Sequence, residues 1–297
     1  VDAPTAAALD VNLDTVRATD NFGDGVELDD FAAGTINVED STFSDNAGAG
    51  FSHVVADSGG AGTITTNIKH SSFDENGGSG YALAAGANAA ATRASYDVAH
   101  STFDDNTRNG FDLNAGDAGT DIVRIDVTFD HVSASSNSGI GVVVVGNDAA
   151  LDVDFEHVES SDNFRNMLFE YEDASTFTFD DVHSNDATSG TTNEGNIEVV
   201  ADTDANANTI TINLHDVEAK GAAGGNGLFL NVLADTGITI NLNVDGDVEL
   251  KNNIEHGLDV LADGATLNID NNEHLDTSDN GASNRQLTGV DTIVYVE

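Results

Sequence analysis

A short repeated unit constrains this chain more than any other feature of its sequence. Three copies, DSTFSDNAGAGFSH, HSSFDENGGSGYAL and HSTFDDNTRNGFDL, align without a gap and begin at Asp40, His70 and His100. Looser copies begin at His131 and His157. The weakest copies begin near Thr15, Asp181, Asp216, Gly246 and Asn271. The chain therefore consists of about ten related units.

The spacing and internal pattern of the units predict the fold class. Successive units begin 24 to 35 residues apart, whereas leucine-rich and helical repeats keep a tighter period. Residues 210–214 and 240–244 alternate apolar and polar side chains, as strands with one buried face do. No capped pattern of helical period spans ten residues. We predict an all-β solenoid with almost no helix, a right-handed parallel β-helix of about ten coils. Residues 1–297 would form a single domain, either complete or part of a longer chain or polymer.

Equivalent positions in the units form columns. An asparagine six residues into the unit recurs as Asn21, Asn46, Asn76, Asn106, Asn137, Asn163 and Asn252. Asparagine tolerates a left-handed backbone, and stacked amides can hydrogen-bond between coils, so we expect a structural ladder at a tight bend. Two internal apolar stacks are also predicted. One contains Val26, Phe51, Tyr81, Phe111 and Val142, and the other contains Phe43, Phe73 and Phe103.

The motif F-x-x-N-x-x-x-G-aromatic, as in residues 43–51, resembles the repeats of the pectate-lyase-like superfamily of right-handed parallel β-helices. The resemblance covers essentially the whole chain. That superfamily includes polysaccharide lyases and hydrolases, phage tailspikes and many surface proteins. The resemblance therefore implies the fold, with an acidic secreted or surface type here, and leaves the function open.

The charge balance restricts the environment and the partners. There are 53 Asp and Glu against 9 Lys and Arg, a net charge of −44, so nucleic acid and anionic membranes are unfavourable partners. No apolar run reaches the roughly 20 residues that span a bilayer, so we expect no membrane insertion. Counterions would screen the carboxylates, which favours a halophilic or calcium-rich milieu. The start of the chain lacks the basic and apolar segments of a signal peptide, so we expect an extracellular or cell-surface protein whose signal peptide has been removed.

Four histidines share one column with aspartates. His70, His100, His131 and His157 start their units and could bind a metal or titrate near neutrality. The alternative is a polar, outward position at a strand end, where stacking favours similar residues.

Other charged residues suggest ligand contacts. Oxygen ligands at alternate positions suit Ca²⁺, the one cofactor expected. The candidates are Asp202, Asp204 and Asn206 in one loop and Asp245 and Asp247 in another. Neither loop completes an EF-hand, so simple solvation is the alternative. Arg108 and Arg165 occupy the same place in their units and could hold an acidic sugar, or they neutralise neighbouring acids.

No catalytic residue is predicted. A lyase of this superfamily needs clustered basic residues, but Lys69, Lys220 and Lys251 are scattered. A hydrolase needs only a carboxylate pair, which 53 acids neither exclude nor identify. We therefore lean away from an enzyme. We predict a secreted acidic structural or surface protein, a stiff rod of about 50 Å. It would assemble end to end into a filament, sheath, surface layer or adhesin stalk, and a charge at Val294 would block assembly.

Two other functions remain open. One is a carbohydrate-active enzyme or a glycan-binding module with a polysaccharide partner. The weaker one is a binder of ice or mineral surfaces, which would need a flat array of Thr or Asp.

Overall fold

The chain forms an all-β parallel solenoid of about eight turns. A computed structural model describes residues 9–29, 33–55, 62–85, 91–114, 124–146, 149–190, 194–201 and 209–296. The predicted fold class is confirmed. The turn count is slightly lower than the ten coils predicted from the sequence.

The described residues contain 21 strands and a 3-10 turn at Asn272–His274. The strands are β1 (Leu9–Asp14), β2 (Val26–Leu28), β3 (Gly34–Glu39), β4 (Phe51–Val55), β5 (Gly62–Lys69), β6 (Tyr81–Ala85), β7 (Ala91–Ala99), β8 (Phe111–Asn114), β9 (Arg124–Ser133), β10 (Ile140–Val145), β11 (Ala150–Glu159), β12 (Arg165–Tyr171), β13 (Thr176–His183), β14 (Gly195–Ala201), β15 (Thr209–Glu218), β16 (Asn226–Thr236), β17 (Thr239–Asp245), β18 (Val248–Glu249), β19 (His256–Asp270), β20 (Leu275–Asp276) and β21 (Ser283–Val296).

Parallel pairing between successive coils builds three faces. Face A contains β1, β3, β5, β7, β9, β11, β13, β15, β17 and the second halves of β19 and β21. Face B contains β2, β4, β6, β8, β10, β12, β14, β16 and the first halves of β19 and β21. Face C is a narrow ladder through Arg17, Thr42, Ser72, Thr102, Ser133, Glu159, His183, Glu218, Glu249 and Asp276.

Stacks of identical side-chain types fill the interior. Both predicted apolar stacks are confirmed. Phe43, Phe73 and Phe103 are fully buried, with ring centroids 5.1 and 4.9 Å apart. Phe51 and Tyr81 stack in the same way at 5.4 Å. Coils about 4.8 Å apart place each ring in contact with its equivalent in the next coil, so a residue type that suits one coil suits its neighbours.

Two corners of each coil use a left-handed backbone. The first corner column has φ between 48° and 61°. It contains the ten residues at which the sequence units begin: Thr15, Asp40, His70, His100, His131, His157, Asp181, Asp216, Gly246 and Asn271. At the second corner the left-handed residue precedes the ladder position, as Glu75 precedes Asn76. The prediction that the ladder asparagines themselves are left-handed is therefore wrong. Asn252 is such a preceding residue, so Asn253 occupies the ladder position in its coil.

The asparagine ladder runs along the interior of the second corner. At a typical step, the backbone N–H and the Nδ2 of Asn46 donate to Oδ1 of Asn76, each at 3.1 Å. The Nδ2 of Asn76 also donates to the backbone carbonyl of Phe43 at 3.0 Å. Equivalent bonds join Asn21 to Asn46 and Asn137 to Asn163. The ladder thus satisfies buried backbone groups that the bend leaves without strand partners.

The ladder continues where the expected column holds alanine. Asn163 bonds Asn166, Asn166 bonds Asn196, and Asn196 bonds Asn253 at distances between 2.9 and 3.2 Å. Asn196 also accepts the backbone N–H of Ala187, which occupies the ladder position of its coil. A side chain from the start of the next strand therefore replaces the missing amide.

The glycine after the ladder is required by close packing. A Cβ on Gly80 would lie 2.6 Å from the carbonyl oxygen of Phe73 and 2.8 Å from that of Gly110. Gly50 and Gly110 meet equivalent backbone oxygens at 2.6 Å. These glycines do not have positive φ, so space rather than backbone conformation selects glycine there.

Candidate functional site

The outer surface of face A is a regular array of short polar side chains. Two adjacent columns contain only Asn, Asp, Thr and Ser through ten successive strands of this face. One column is Asp10, Thr35, Thr65, Ser95, Asp126, Asp152, Thr176, Thr211, Asn241 and Asn268. The other is Asn12, Asn37, Asn67, Asp97, Thr128, Asp154, Thr178, Asn213, Asn243 and Asp270.

Hydrogen bonds and ion pairs order this array. The Nδ2 of Asn37 donates to Asn12, and that of Asn67 donates to Asn37, both at 2.7 Å. In the middle of the face, Arg124 bridges Asp126 and Asp152 at 2.6 Å on each side. Several side chains are therefore held in place before any ligand arrives.

The edge that follows face A carries stacked imidazoles. The ring centroids of His70 and His100 are 5.2 Å apart and their planes are nearly parallel. His131 lies 4.8 Å from His100, and His157 lies 4.3 Å from His131. We call these four residues the histidine column. All four have left-handed φ values, which histidine tolerates better than most residues.

Carboxylates surround the histidine column. Oδ1 of Asp130 lies 2.5 Å from Nδ1 of His131 and 3.8 Å from Nδ1 of His157. The hydrogen bond with His131, followed by the charges of His131, His100 and His157, lowers the pKa of Asp130 below its ordinary value. Glu156 lies 3.6 Å from His157 on the same surface. Asp130 is therefore at the centre of a mixed nitrogen and oxygen cluster.

Two of the lysines neutralise face C. Lys220 pairs with Glu218 at 3.2 Å and also contacts Glu249. Lys251 pairs with Glu249 at 3.0 Å and contacts Asp276. The lysine contacts lower the pKa of Glu249 and bring the pKa of Asp276 to about 2. Both lysines therefore form ion pairs with the stacked carboxylates of face C.

Arg108 and Arg165 occupy the same place in their sequence units but do not share a column in the structure. Arg165 pairs with Ile140, whereas the carbonyl of Arg108 accepts the N–H of Gly139. One fewer residue separates Asn163 from its following strand than in the preceding coil, which shifts Arg165 by one position. Arg165 lies 3.3 Å from a buried carboxylate, that of Glu198.

Glu198 is the site residue that the sequence analysis missed. Its side chain is only 2% exposed, and burial raises its pKa to about 7, although Arg165 and the N–H of Gly195 act in the opposite direction. Glu194 is the second partner of Arg165 at 3.9 Å. The only signal in the sequence is an acidic residue within an apolar strand.

A second buried carboxylate lies two coils further along face B. The register joins Glu198 to Phe229 and Phe229 to Asp259, so the backbones of Glu198 and Asp259 are roughly 10 Å apart. Burial raises the pKa of Asp259. A raised pKa is typical of a general acid, but Glu198, Phe229 and Asp259 are each 3% exposed or less. A polysaccharide has no access to this pair.

The proposed calcium ligands do not converge where the structure describes them. Oδ1 of Asp245 accepts the N–H of Gly246 at 2.9 Å, and the N–H of Asp247 donates to Asp216 at 2.8 Å. In the described ranges, the clusters of three potential metal ligands include neither Asp245 nor Asp247. Asp202, Asp204 and Asn206 lie outside the described residues.

Exposed aromatic side chains are few among the described residues. Phe22 and Phe164 follow ladder asparagines at the second corner, and Tyr295 lies in β21. Phe22 and Phe164 are separated by several coils, so the described residues present no aromatic row of the kind that lines many sugar-binding grooves.

Stacked coils, an amide ladder and outward polar columns define a parallel β-solenoid repeat protein. Comparisons with protein-family models, with curated proteins and with solved structures give no match to this chain. Within the described ranges, none of the helical structure is long and apolar enough to span a membrane.

Proposed function

We propose that this protein is a secreted, acidic structural or surface protein whose solenoid is a rigid rod that stacks end to end with further copies. The observation that carries the proposal is the last strand. β21 pairs only with β19 among the described strands. Ile293 and Tyr295 are 40% and 56% exposed, whereas Leu267 and Ile269, their partners in β19, are fully buried.

An open strand edge with exposed core residues is a template for another strand, supplied either by a further copy or by the continuation of a longer chain or polymer. At the other end of the described solenoid, Val11 and Leu13 of β1 are only partly buried. A second copy placed with its β1 on β21 would continue the parallel pairing. It would cover the exposed apolar side chains of β21 and the partly buried ones of β1. Because the two surfaces differ, the contact is head to tail and propagates as a fibre.

The asparagine ladder supports the same arrangement. At each step a coil donates N–H groups to the carbonyl oxygen of the next asparagine, as Asn253 donates to Asn280 at 2.9 and 3.2 Å. The ladder is therefore directional. Asn280 would donate onward to Asn21 of a stacked copy, which supplies complementary hydrogen bonds at the junction.

The register changes the choice of test variant. Val294 lies in the outward column of Asn241 and Asn268, whereas Ile293 lies in the inward column of Ile240 and Leu267. Ile293→Asp would bury a charge in the junction, and Val294→Asp places the same charge on the outer face. We expect fibres or higher oligomers from the natural chain and from Val294→Asp, and monomers from Ile293→Asp.

The measurements are electron microscopy and light scattering of the 297-residue chain across a NaCl and CaCl₂ series. High salt is needed because rods of net charge −44 repel each other. Far-ultraviolet circular dichroism establishes that each variant is folded. A folded natural chain that stays monomeric at every ionic strength contradicts the proposal, as does equal assembly of both variants.

The proposed setting follows from the surface charge. Outward carboxylates along the rod suit an extracellular, halophilic environment, with Ca²⁺ acting as a counterion. We further propose that the repeat is of the pectate-lyase-like type in its acidic secreted form, on the motif of residues 43–51.

The polar array on face A favours a second candidate, a glycan-binding module of the carbohydrate-active class. Hydroxyl, amide and carboxylate groups repeat from coil to coil along face A, which suits a repeating polysaccharide. Ordered pairs such as Asn37 and Asn67 reduce the entropic cost of binding. Pull-down of the chain with insoluble polysaccharides tests this function, and Asn67→Lys should weaken retention while Thr107→Lys, at an exposed position outside face A, serves as the control for added charge.

A further inference from the structure

We propose that the histidine column is a binding site for Zn²⁺, centred on Asp130. Two groups of three potential ligands lie there: His100, Asp130 and His131, and Asp130, Glu156 and His157. Within each group one ligand atom from each residue lies within 4.8 Å of the others. Asp130 belongs to both groups, so one carboxylate joins two adjacent coordination positions.

The geometry is close to what zinc requires. Ligand atoms at about 2.0 Å from a tetrahedral ion are separated by roughly 3.3 Å. Contraction from 4.8 Å requires each side chain to move by about 1 Å, and these side chains are on the surface. The side chains of His131 and His157 are 51% and 41% exposed. Changes of side-chain rotamer at such positions are inexpensive.

The mixture of nitrogen and oxygen ligand atoms favours a divalent ion of intermediate softness. Imidazole nitrogen combined with carboxylate oxygen suits Zn²⁺, whereas Ca²⁺ and Mg²⁺ prefer oxygen ligands alone. Three protein ligands leave a coordination position for water or for a further ligand. The second carboxylate oxygen of Asp130 can also orient a bound imidazole from outside the coordination shell.

The site is distinct from the general acidity of the surface. His183 and His215, which flank this edge, also contact carboxylates, as His183 contacts Asp181 at 3.4 Å and His215 contacts Asp216 at 3.4 Å. A bound Zn²⁺ would add positive charge to this carboxylate-rich edge. If Zn²⁺ binds the folded chain and not the unfolded chain, binding also raises the free energy of unfolding by mass action.

The backbone provides variants that keep the fold. His131 and His157 have φ of 55° and 54°, and asparagine occupies the same column at Asn271 with φ of 50°. The double variant His131→Asn, His157→Asn therefore removes one imidazole from each ligand group and retains a residue that tolerates this conformation. Asp130→Asn removes the shared carboxylate, and Asp45→Asn is its matched control, since Asp45 is an exposed acid with φ of 58°.

The experiment is equilibrium dialysis and calorimetry with ZnCl₂ in a large excess of MgCl₂, which occupies sites made of oxygen alone. We expect saturable Zn²⁺ binding to the natural chain and to Asp45→Asn. On the order of 10- to 100-fold weaker binding is expected for Asp130→Asn and for the double histidine variant. Circular dichroism reports folding, and nitrogen-15 spectra of the imidazoles should show shifts at His131 and His157 but not at His274.

Two results would overturn the proposal. One is unchanged Zn²⁺ affinity in a folded double histidine variant. The other is an equal loss of affinity in Asp45→Asn and Asp130→Asn, since binding would then follow total charge rather than this cluster. Filament formation is measured separately, and neither Asp130 nor the histidine column lies in the proposed junction, so failure of one proposal does not decide the other.

Discussion

Removal of one ladder amide should cost far more stability than removal of a surface amide from the same coil. Asn76 is 1% exposed, and its side chain serves the backbone N–H of Asn46 at 3.1 Å and the carbonyl of Phe43 at 3.0 Å. Asn76→Ala leaves both groups buried without a partner. Each such group costs about 1–3 kcal/mol, so we expect a loss of about 3–5 kcal/mol in the free energy of unfolding.

Asn67→Ala is the matched control. Asn67 is partly exposed and donates to Asn37 at 2.7 Å, and water can replace that bond, so the expected loss is under about 1 kcal/mol. Urea unfolding followed by circular dichroism gives the difference. Because solenoids can unfold in parts, hydrogen exchange should also show lost protection in the coils of Asn46 and Asn106. Equal losses in the two variants would refute the role assigned to the ladder.

Two further predictions follow from close packing and from buried charge. Gly80→Ala should lower stability by at least about 2 kcal/mol, because its Cβ meets backbone oxygens that cannot move away. Gly23→Ala, with nothing within 4 Å, should change stability by less than about 0.5 kcal/mol in the same urea experiment. Burial raises the pKa of Glu198 from 4.5 to about 7, so the folded state holds its proton more tightly than the unfolded state does, and stability falls as pH rises through that window. Glu198→Gln should therefore be about 2–3 kcal/mol more stable than the natural chain at pH 8 and nearly equal to it at pH 4; a difference that does not vary with pH would contradict this assignment.

The repeat predicted the fold because its columns are set by local chemistry. Aromatic residues at Phe43, Phe73 and Phe103 could only be buried if the units stack in register, and the structure stacks them. The ten unit starts coincide with ten left-handed corner residues. Both features depend on short segments that align without gaps.

The errors arise where segment lengths change. The segment after Asn163 is one residue shorter, which moves Arg165 out of the column of Arg108. At Asn252 the asparagine is the left-handed residue before the ladder position, and Asn253 is the ladder residue. The replacement of a ladder amide by Asn196 depends on side-chain reach from a different column. The burial of Glu198 depends on what covers the outer surface of face B. Neither the position of the Asn196 amide nor the burial of Glu198 can be predicted from the alternation of apolar and polar residues along one strand.

The first corner column shows how a backbone constraint can select surface chemistry. An αL bend repeated in every coil admits few residue types besides glycine, and the tolerated ones are mainly asparagine, aspartate and histidine. Those same side chains supply most of the oxygen and nitrogen donors that coordinate cations. A solenoid that repeats this bend therefore concentrates potential ligands into a single line at the coil spacing, so a binding function could arise there without any change of shape.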